Sequence, residues 1–234
     1  MEVFASAKVN LCLDILDRDS NGYHKIQTVY YETKQLQNKL DILSSKENPD
    51  MSTLSSPCKS AIQILKSKFK IDKNPEIIIN RNIPFSSGLG GESSNAAAIL
   101  KALNKLWSLN LKNDELRKIA AEIGMDVPFF IEGGLALGTS FGEEITQLEN
   151  LDLEIEINPK SLDSKNKTAN AYESLDLEKC GLNTKKTKHL LEGIKTKNLM
   201  LIKENLHNDF ETITTVQKGE HLSGSGPSTF KLEV

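Results

Sequence analysis

Near the start of the chain apolar and polar positions alternate. In VFASAKVNLCLDIL, Val9, Leu11 and Leu13 fall on one face, and a repeat of two is the mark of a strand. The run closes in DRDSNGYH, where Asn21-Gly22 signals a tight turn. KIQTVYYETK then predicts a second strand, so the chain opens as a hairpin, and NKLDILSS predicts a further short strand. The polar, turn-rich SSKENPDMSTLSSPCKS reads as a surface loop. SAIQILKSKF sets Ile62, Leu65 and Phe69 at helical spacing, and EIIINRNI is a β-branched run that predicts a buried strand.

From Ser94 to Trp107 the apolar positions Ala96, Ile99, Leu100, Leu103, Leu106 and Trp107 recur at three and four, which predicts an amphipathic helix. KNDELRKIAAEIG predicts another, capped by Asn113, burying Leu116, Ile119, Ala120 and Ile123, and stopping at Gly124. VPFFIEGGLALGTS and EEITQL read as strands around a glycine bend. The charged LENLDLE is a shift in composition near 147–152, dividing the chain into domains at 1–148 and 149–234. Beyond it, LEIEINP reads as a strand, TKKTKHLLEGIKTKNLMLIKENLHNDFE as mostly helical, and SGSGPSTFKLEV as a glycine turn entering a final strand. Helices and strands mix without regular alternation, so the expected class is α+β in two domains.

Composition narrows the function classes. A net charge of −3 without a basic block speaks against a nucleic-acid partner. Apolar runs such as GLALG are too short to span a bilayer, and the first residues lack a secretory pattern. Cys12, Cys58 and Cys180 are scattered and odd in number, which fits a reducing cytoplasm rather than a disulfide frame. His24, His189, His207 and His221 have no metal-ligand spacing, so no protein-held metal is expected. Of these, His189, His207 and His221 read as surface residues.

The candidate chemistry lies in PFSSGLGGESSNAAAIL, from 84 to 100. A strand, a glycine-rich turn and a helix N-terminus suit an anion, because the first-turn amides are unpaired and the helix dipole favours negative charge. Gly88, Gly90 and Gly91 allow close backbone approach. Ser93 and Ser94 offer hydroxyls to a cap, a phosphate or a bound magnesium. Neither G-x-x-x-x-G-K-[ST] nor G-x-G-x-x-G is present, and an ordinary tight turn before a helix is the plain alternative. By composition alone, Asp126 before Pro128 reads as a turn aspartate and Lys8 as a solvent-facing strand residue.

The wider pattern P-x-x-x-G-L-G-G-x-S-S-N-A-A, from Pro84 to Ala97, resembles the ATP loop of the GHMP small-molecule kinases. Its doubled glycine is similar to the branch of 4-diphosphocytidyl-2-C-methyl-D-erythritol kinases. SAKVNLCLDIL, DSNGYH, GMDVPFFIEGGLALGTSFGEEI, KTANAYESLD, NDFE and SGSGPSTF resemble further motifs of that branch, in the same order. The resemblance implies a ribosomal-S5-like N-terminal domain and a ferredoxin-like C-terminal domain. It implies ATP with magnesium as phosphoryl donor, and a cytidine-diphosphate-linked polyol as the small-molecule acceptor.

Residue by residue, the resemblance implies that Lys8 and Asp126 are catalytic. Asp126 takes the hydroxyl proton and Lys8 stabilises developing charge. Pro84, Phe85, Ser86, Ser87, Gly88, Leu89, Gly90, Gly91, Glu92, Ser93 and Ser94 form the ATP loop. Asn10 holds the polyol, Tyr23 stacks on the cytosine, His24 bonds its edge and Tyr172 meets its other face. Thr168, Gly224, Ser225 and Gly226 complete the substrate side. A monomer or homodimer is expected.

Three departures stand out. Glu92 is an acid where the family generally carries a small residue, and it points either at the phosphates or away from them. SSPCKSAIQ lacks the D-x-x-N-L opening of its helix. Only eleven residues separate Glu211 from Ser223, and the chain stops directly after its final strand, so a shortened second domain is expected. Two other readings stay open: another GHMP kinase, acting on mevalonate, homoserine or a sugar, and a non-catalytic nucleotide-binding remnant.

Overall fold

The structure, a computed structural model, describes residues 1–20, 22–44, 49–162 and 167–233. In chain order the elements are β1 (Glu2–Arg18), β2 (His24–Ser44), α1 (Ser56–Phe69), β3 (Pro75–Asn80), α2 (Gly91–Leu106), α3 (Asn113–Ala121) and α4 (Phe129–Glu132). There follow β4 (Leu135–Thr139), β5 (Glu144–Gln147), β6 (Ile155–Asn158), α5 (Lys167–Glu173), α6 (Thr184–Thr196), α7 (Leu199–Glu204), β7 (His207–Asn208), β8 (His221–Leu222) and β9 (Thr229–Leu232). The mixture is α+β, as the patterning predicts. None of the described helices is long and apolar enough to cross a membrane.

The chain forms two compact units, and the long strands β1 and β2 contribute to both. One unit holds Met1–Ala7, Lys34–Ile83 and Gly90–Gly133. In it β3 pairs antiparallel with β2, from Lys39↔Asn80 to Ser44↔Pro75. Helix α1 packs on α2, which also meets α3 and α4. Ile62 and Leu65 of α1, and Ile99 and Leu103 of α2, are fully buried.

The other unit holds Lys8–Thr33, Pro84–Leu89 and Gly134–Val234. There the strand order is β5-β4-β2-β1-β7, with β1 and β7 parallel at Cys12↔His207. A second sheet runs β6-β9-β8. Helix α5 is seated by Ala171 and Tyr172, and Leu175 just beyond it joins them, against a cluster of Leu13, Ile15, Ile26, Cys180, Phe210 and Leu222.

Several expectations need correction. The second and third strands are one continuous strand, β2, because its two ends have different partners: residues 28–31 pair with β4 and 39–44 with β3. Asn21 of the expected turn lies outside the described residues. Gly22 takes φ +86°, and Asp19 closes the turn by accepting the Tyr23 amide at 2.9 Å. The expected loop before the first helix falls partly outside the described residues. The helix itself begins earlier, at Ser56, because Pro57 suits its first turn. EIIINRNI is not a buried strand. β3 alternates, with Ile77 8% and Ile78 50% exposed, since β2 is its only partner among the described residues.

Helix α2 starts at Gly91 and is buried on every side from Ser94 to Leu100, because its alanines admit neighbours on several faces; it is amphipathic only beyond, where Lys101 and Lys105 are exposed opposite Ala102 and Leu103. The N-cap of α3 is Lys112 rather than Asn113. The Glu115 carboxylate folds back to accept the Lys112 amide at 2.9 Å, which fixes the start one residue earlier. VPFF is no strand. Pro128 (φ −57°) starts the short helix α4, and Gly133 (φ +71°) ends it.

His207 is not a surface residue. It is 4% exposed, and its Nε2 lies 3.0 Å from the Asp14 carboxylate, to which the Thr187 hydroxyl also donates. His189 is exposed and His221 half-buried. All the cysteines are free and buried, and burial pushes the Cys12 thiol up to about 12.

The edge position of β3 has a measurable consequence. Ile77→Ala should cost about 2–4 kcal/mol in denaturant unfolding, whereas Ile78→Ala should change stability by about 0.5 kcal/mol or less.

Candidate active site

Strand β1 is buried on both faces from Ala5 to Ile15. Its odd positions, Val9, Leu11 and Leu13, are apolar, while Ser6, Lys8, Asn10, Cys12 and Asp14 alternate with them on the other face. Lys8 is therefore interior, only 2% exposed, rather than solvent-facing as composition alone suggests. Its ammonium donates to the Asn10 side-chain oxygen and sits 5.8 Å from the centroid of the Tyr30 ring. Asn10 donates to the Thr28 hydroxyl (2.8 Å), and Thr28 donates to the Cys12 carbonyl (2.6 Å). This relay fixes the orientation of the Asn10 amide and hence the position of the ammonium.

Three segments far apart in sequence meet around that strand. The Lys8 amide donates to the Leu89 carbonyl at 2.9 Å. The Ser228 amide donates to the Ser87 carbonyl (3.0 Å), and the Ser223 hydroxyl donates to the Gly88 carbonyl (3.0 Å). Asn208 holds the C-terminal glycine segment, donating to the carbonyls of Leu222 and Gly224, each at 2.8 Å. A Cβ on Gly224 would lie 3.2 Å from the Lys8 ammonium and 3.5 Å from the Asn10 oxygen. The structure thus brings Lys8, Asn10, Gly88 and Gly224 together. Gly226 joins them, since a Cβ on Gly88 would come within 2.8 Å of its carbonyl. Ser225 is half-buried between the two glycines.

The rest of the glycine loop divides by exposure. Phe85 (54% exposed) and Ser86 (φ +50°) face solvent, Pro84 is half-buried, and Ser87 and Leu89 are buried. In the other unit, Gly90 (φ +72°) caps α2 and offers no side chain to its first turn, so no side chain competes there for an anion. Ser93 is half-buried and Ser94 buried. Asn38 accepts the amides of Asn82 (2.8 Å) and Ile83 (2.9 Å) and donates to Asn95 (3.0 Å), tying the approach of the loop to the helix that follows it.

Glu92 turns to Arg81: the guanidinium Nε lies 3.4 Å from its Oε1, and Asn95 approaches the same oxygen at 3.5 Å. Its charge is therefore held by a cation at the end of β3, in the first turn of α2 where the dipole also favours it. Asp126 is half-buried in the same unit, in the turn between α3 and α4, where the Val127 amide closes back on the Gly124 carbonyl at 3.1 Å.

The aromatic residues expected around a base lie in the unit that holds Lys8. Tyr23 is 60% exposed and meets Phe141 edge-on. His24 and Tyr172 stack directly on one another, with centroids 4.8 Å apart and planes at 15°. Burial, and then the Arg18 charge, hold the His24 imidazole below its ordinary pKa, so it is neutral at pH 7 and has one donor and one acceptor nitrogen. Thr168 is exposed on α5. Residues that sequence reasoning missed are the organisers Asn38, Asn208 and Ser223. NDFE and SGSGPSTF carried signals for Asn208 and Ser223, but nothing local marked Asn38.

A sequence model of the GHMP kinases N terminal domain matches residues 56–134. The chain is 35% identical over 257 aligned residues to the 4-diphosphocytidyl-2-C-methyl-D-erythritol kinase of Clostridioides difficile (strain 630), an alignment covering 97% of this chain and 84% of that protein. It is also 35% identical to the enzyme of the same name from Caldicellulosiruptor saccharolyticus, covering 97% and 86%. Among solved structures it superposes on a 4-(cytidine 5'-diphospho)-2C-methyl-D-erythritol kinase with a TM-score of 0.76 and 25% identity, covering 99% of this chain and 90% of that one.

The tightest element of this geometry is testable. A Cβ on Gly88 would stand 2.1 Å from the Ser223 carbonyl oxygen, at φ +83°. Gly88→Ala should therefore lower stability by about 2 kcal/mol or more, read as a fall in thermal midpoint. Gly219→Ala, whose Cβ would meet nothing within 4 Å, is the control for the cost of a positive φ (+82°) alone.

Proposed function

The chain belongs to the family of 4-diphosphocytidyl-2-C-methyl-D-erythritol kinases, and from that premise we propose that Lys8 and Asp126 are its reacting pair. The protein is an ATP-dependent GHMP kinase of isoprenoid precursor synthesis. ATP supplies the γ-phosphoryl group, and the acceptor is the 2-hydroxyl of 4-diphosphocytidyl-2-C-methyl-D-erythritol in the non-mevalonate route. The observation that carries the assignment is the burial of Lys8 on a fully bonded asparagine. Holding an ammonium in an interior is costly, and a phosphoryl-transfer site repays that cost by using the charge.

In this reading Asp126 accepts the proton as the 2-oxygen bonds to phosphorus and ADP departs. Lys8 stabilises the charge that gathers on the transferring group, and Asn10 orients the polyol beside it. The uncapped first turn of α2, with the glycine amides, cradles the donor phosphates. Magnesium accompanies ATP, and the hydroxyls of Ser93 and Ser94 are the loop groups suited to it. Tyr23, His24 and Tyr172 select the cytosine. Stacking on a base is worth about 1–3 kcal/mol, which separates this acceptor from mevalonate, homoserine or a free sugar. We further propose division into domains at 1–148 and 149–234, a cytoplasmic enzyme, and a monomer or homodimer.

Substrate-dependent ADP release tests the pair. Asp126→Ala and Lys8→Ala should each lower kcat by about a hundredfold or more, with little change in the KM for ATP. Wild-type rates with the cytidyl polyol no better than with mevalonate or homoserine would defeat the substrate assignment, and full activity in Asp126→Ala would defeat the base. The pairing of Glu92 with Arg81 adds a second expectation. Glu92→Gln should alter ATP affinity less than about threefold while lowering stability by up to about 1 kcal/mol. A tenfold gain in ATP affinity would show instead that the acid faces phosphate.

A further inference from the structure

The polar face of β1 continues past Asn10 to Cys12 and Asp14, and neither takes part in the reaction proposed above. β7 lies parallel to β1 with His207 opposite Cys12. It brings an imidazole to a thiol and a carboxylate although 193 residues separate Asp14 from His207, so spacing along the chain gives no sign of the group. All three residues are buried. The Cys12 Sγ, an Asp14 carboxylate oxygen and a His207 ring nitrogen lie within 4.8 Å of one another. Two of these groups are also oriented from behind. The Asn205 carbonyl, which only accepts, stands 2.9 Å from the His207 Nδ1, so Nδ1 carries a hydrogen and Nε2 turns inward. The Thr187 hydroxyl donates to the Asp14 Oδ2, which leaves Oδ1 facing Nε2 at 3.0 Å. A ring nitrogen and a carboxylate oxygen at that distance need a positive centre between them, either a proton or a metal ion. A carbonyl behind the imidazole and a hydrogen bond to the carboxylate are the outer partners that metal ligands ordinarily have.

We propose that Cys12, Asp14 and His207 bind a divalent transition-metal ion of the zinc type. A thiolate, an imidazole and a carboxylate are donors that zinc accepts together in tetrahedral sites. Donors at about 2.0–2.3 Å from a tetrahedral ion stand about 3–4 Å apart, so the spacing of the three groups needs only slight adjustment. The neighbouring residues favour a cation as well. Asp209, two residues beyond His207, is buried, and its Oδ2 accepts the amides of Ile15 (2.7 Å) and Gly181 (2.8 Å). Its Oδ1 has no hydrogen-bond partner among the described residues. This end of β1 therefore holds two carboxyl groups and a thiol against one imidazole, a balance that favours positive charge. Burial pushes the Cys12 thiol up to about 12, so the sulfur keeps its proton until the ion arrives. Zinc bonds to the sulfur as that proton leaves, and it takes the place of the proton shared by Nε2 and Oδ1, so both protons pass to solvent. The ligands are buried, and the site is separate from the magnesium of ATP. Its task is structural: it fastens β7 to the strand that holds Lys8.

The test uses the full chain, produced in medium containing zinc or cobalt, purified without nucleotide and desalted, and none of its readouts depends on turnover. Wild type should retain a single ion per chain, and the cobalt form should show a thiolate-to-cobalt charge-transfer band in the near ultraviolet. Cys12→Ala removes the sulfur and keeps the hydrogen bonds among Asp14, His207 and Thr187. It should lose the band and weaken zinc by about a hundredfold or more, read by competition with a chromogenic chelator. Cys58→Ala, in the other unit, should change neither. Zinc-edge X-ray absorption of the wild type needs no variant, and it should report one sulfur among nitrogen and oxygen ligands. A wild type that retains no ion, a band that survives in Cys12→Ala, or a zinc shell without sulfur would each overturn the inference and leave Nε2 and Oδ1 sharing a proton only.

Discussion

The carbonyl oxygen of Ser223 stands where a side chain on Gly88 would begin. That contact of backbone with backbone lets the C-terminal glycine segment lie directly on the glycine loop, and both lie along β1. Hydrogen bonds hold the assembly: Ser223 to Gly88 and Ser228 to Ser87 join the two glycine segments, and the Lys8 amide to Leu89 joins the loop to β1. A methyl group at Gly88 would clash with the Ser223 and Gly226 carbonyls and force the segments apart. Asn208 supports the arrangement from behind, because its amide spans the carbonyls on either side of Ser223. The requirement for glycine here is steric and conformational at once, with no space for a Cβ and a φ of +83°.

Covering β1 on both faces turns its polar positions into an interior row. Lys8, Asn10 and Thr28 satisfy one another near the glycine segment. Further along the same face, Asp14, His207 and Thr187 form a second buried group. His207 on β7 lies opposite Cys12 in the parallel pairing and so carries its ring to Asp14. Buried networks of this kind are costly when incomplete and restrictive when complete. They tie α6 and β7 to the strand that holds Lys8, so a substitution at Asp14 or His207 is expected to be felt first as instability.

The acid at the start of α2 finds its explanation beside a neighbouring strand. Arg81, just after β3, meets Glu92 and holds its carboxylate. The first turn of α2 thus carries a negative residue whose Oε1 lies against a cation. The same turn has no side-chain cap, and it is approached by a chain that Asn38 has already fixed. Cation, helix dipole and asparagine brace come from three separate segments, and the glycine motif itself mentions none of them.

The order of local patterns was enough to give the α+β class, most elements and the family, because each motif is a short run whose residues act on their own neighbours. The glycines of 88–91, the helix behind them and the strand at Lys8 are of this kind. What the sequence could not yield alone was set by partners distant along the chain. β2 is one strand because β3 and β4 claim different parts of it, β3 is half-exposed because it is an edge, and VPFF is helical because Pro128 and Gly133 bracket it. Glu92 and His207 likewise take their meaning from Arg81 and Asp14. Periodicity reports which face of an element is apolar, since that is a property of adjacent residues. The direction of a charge depends on the field of groups brought near by folding, and only the tertiary structure decides it.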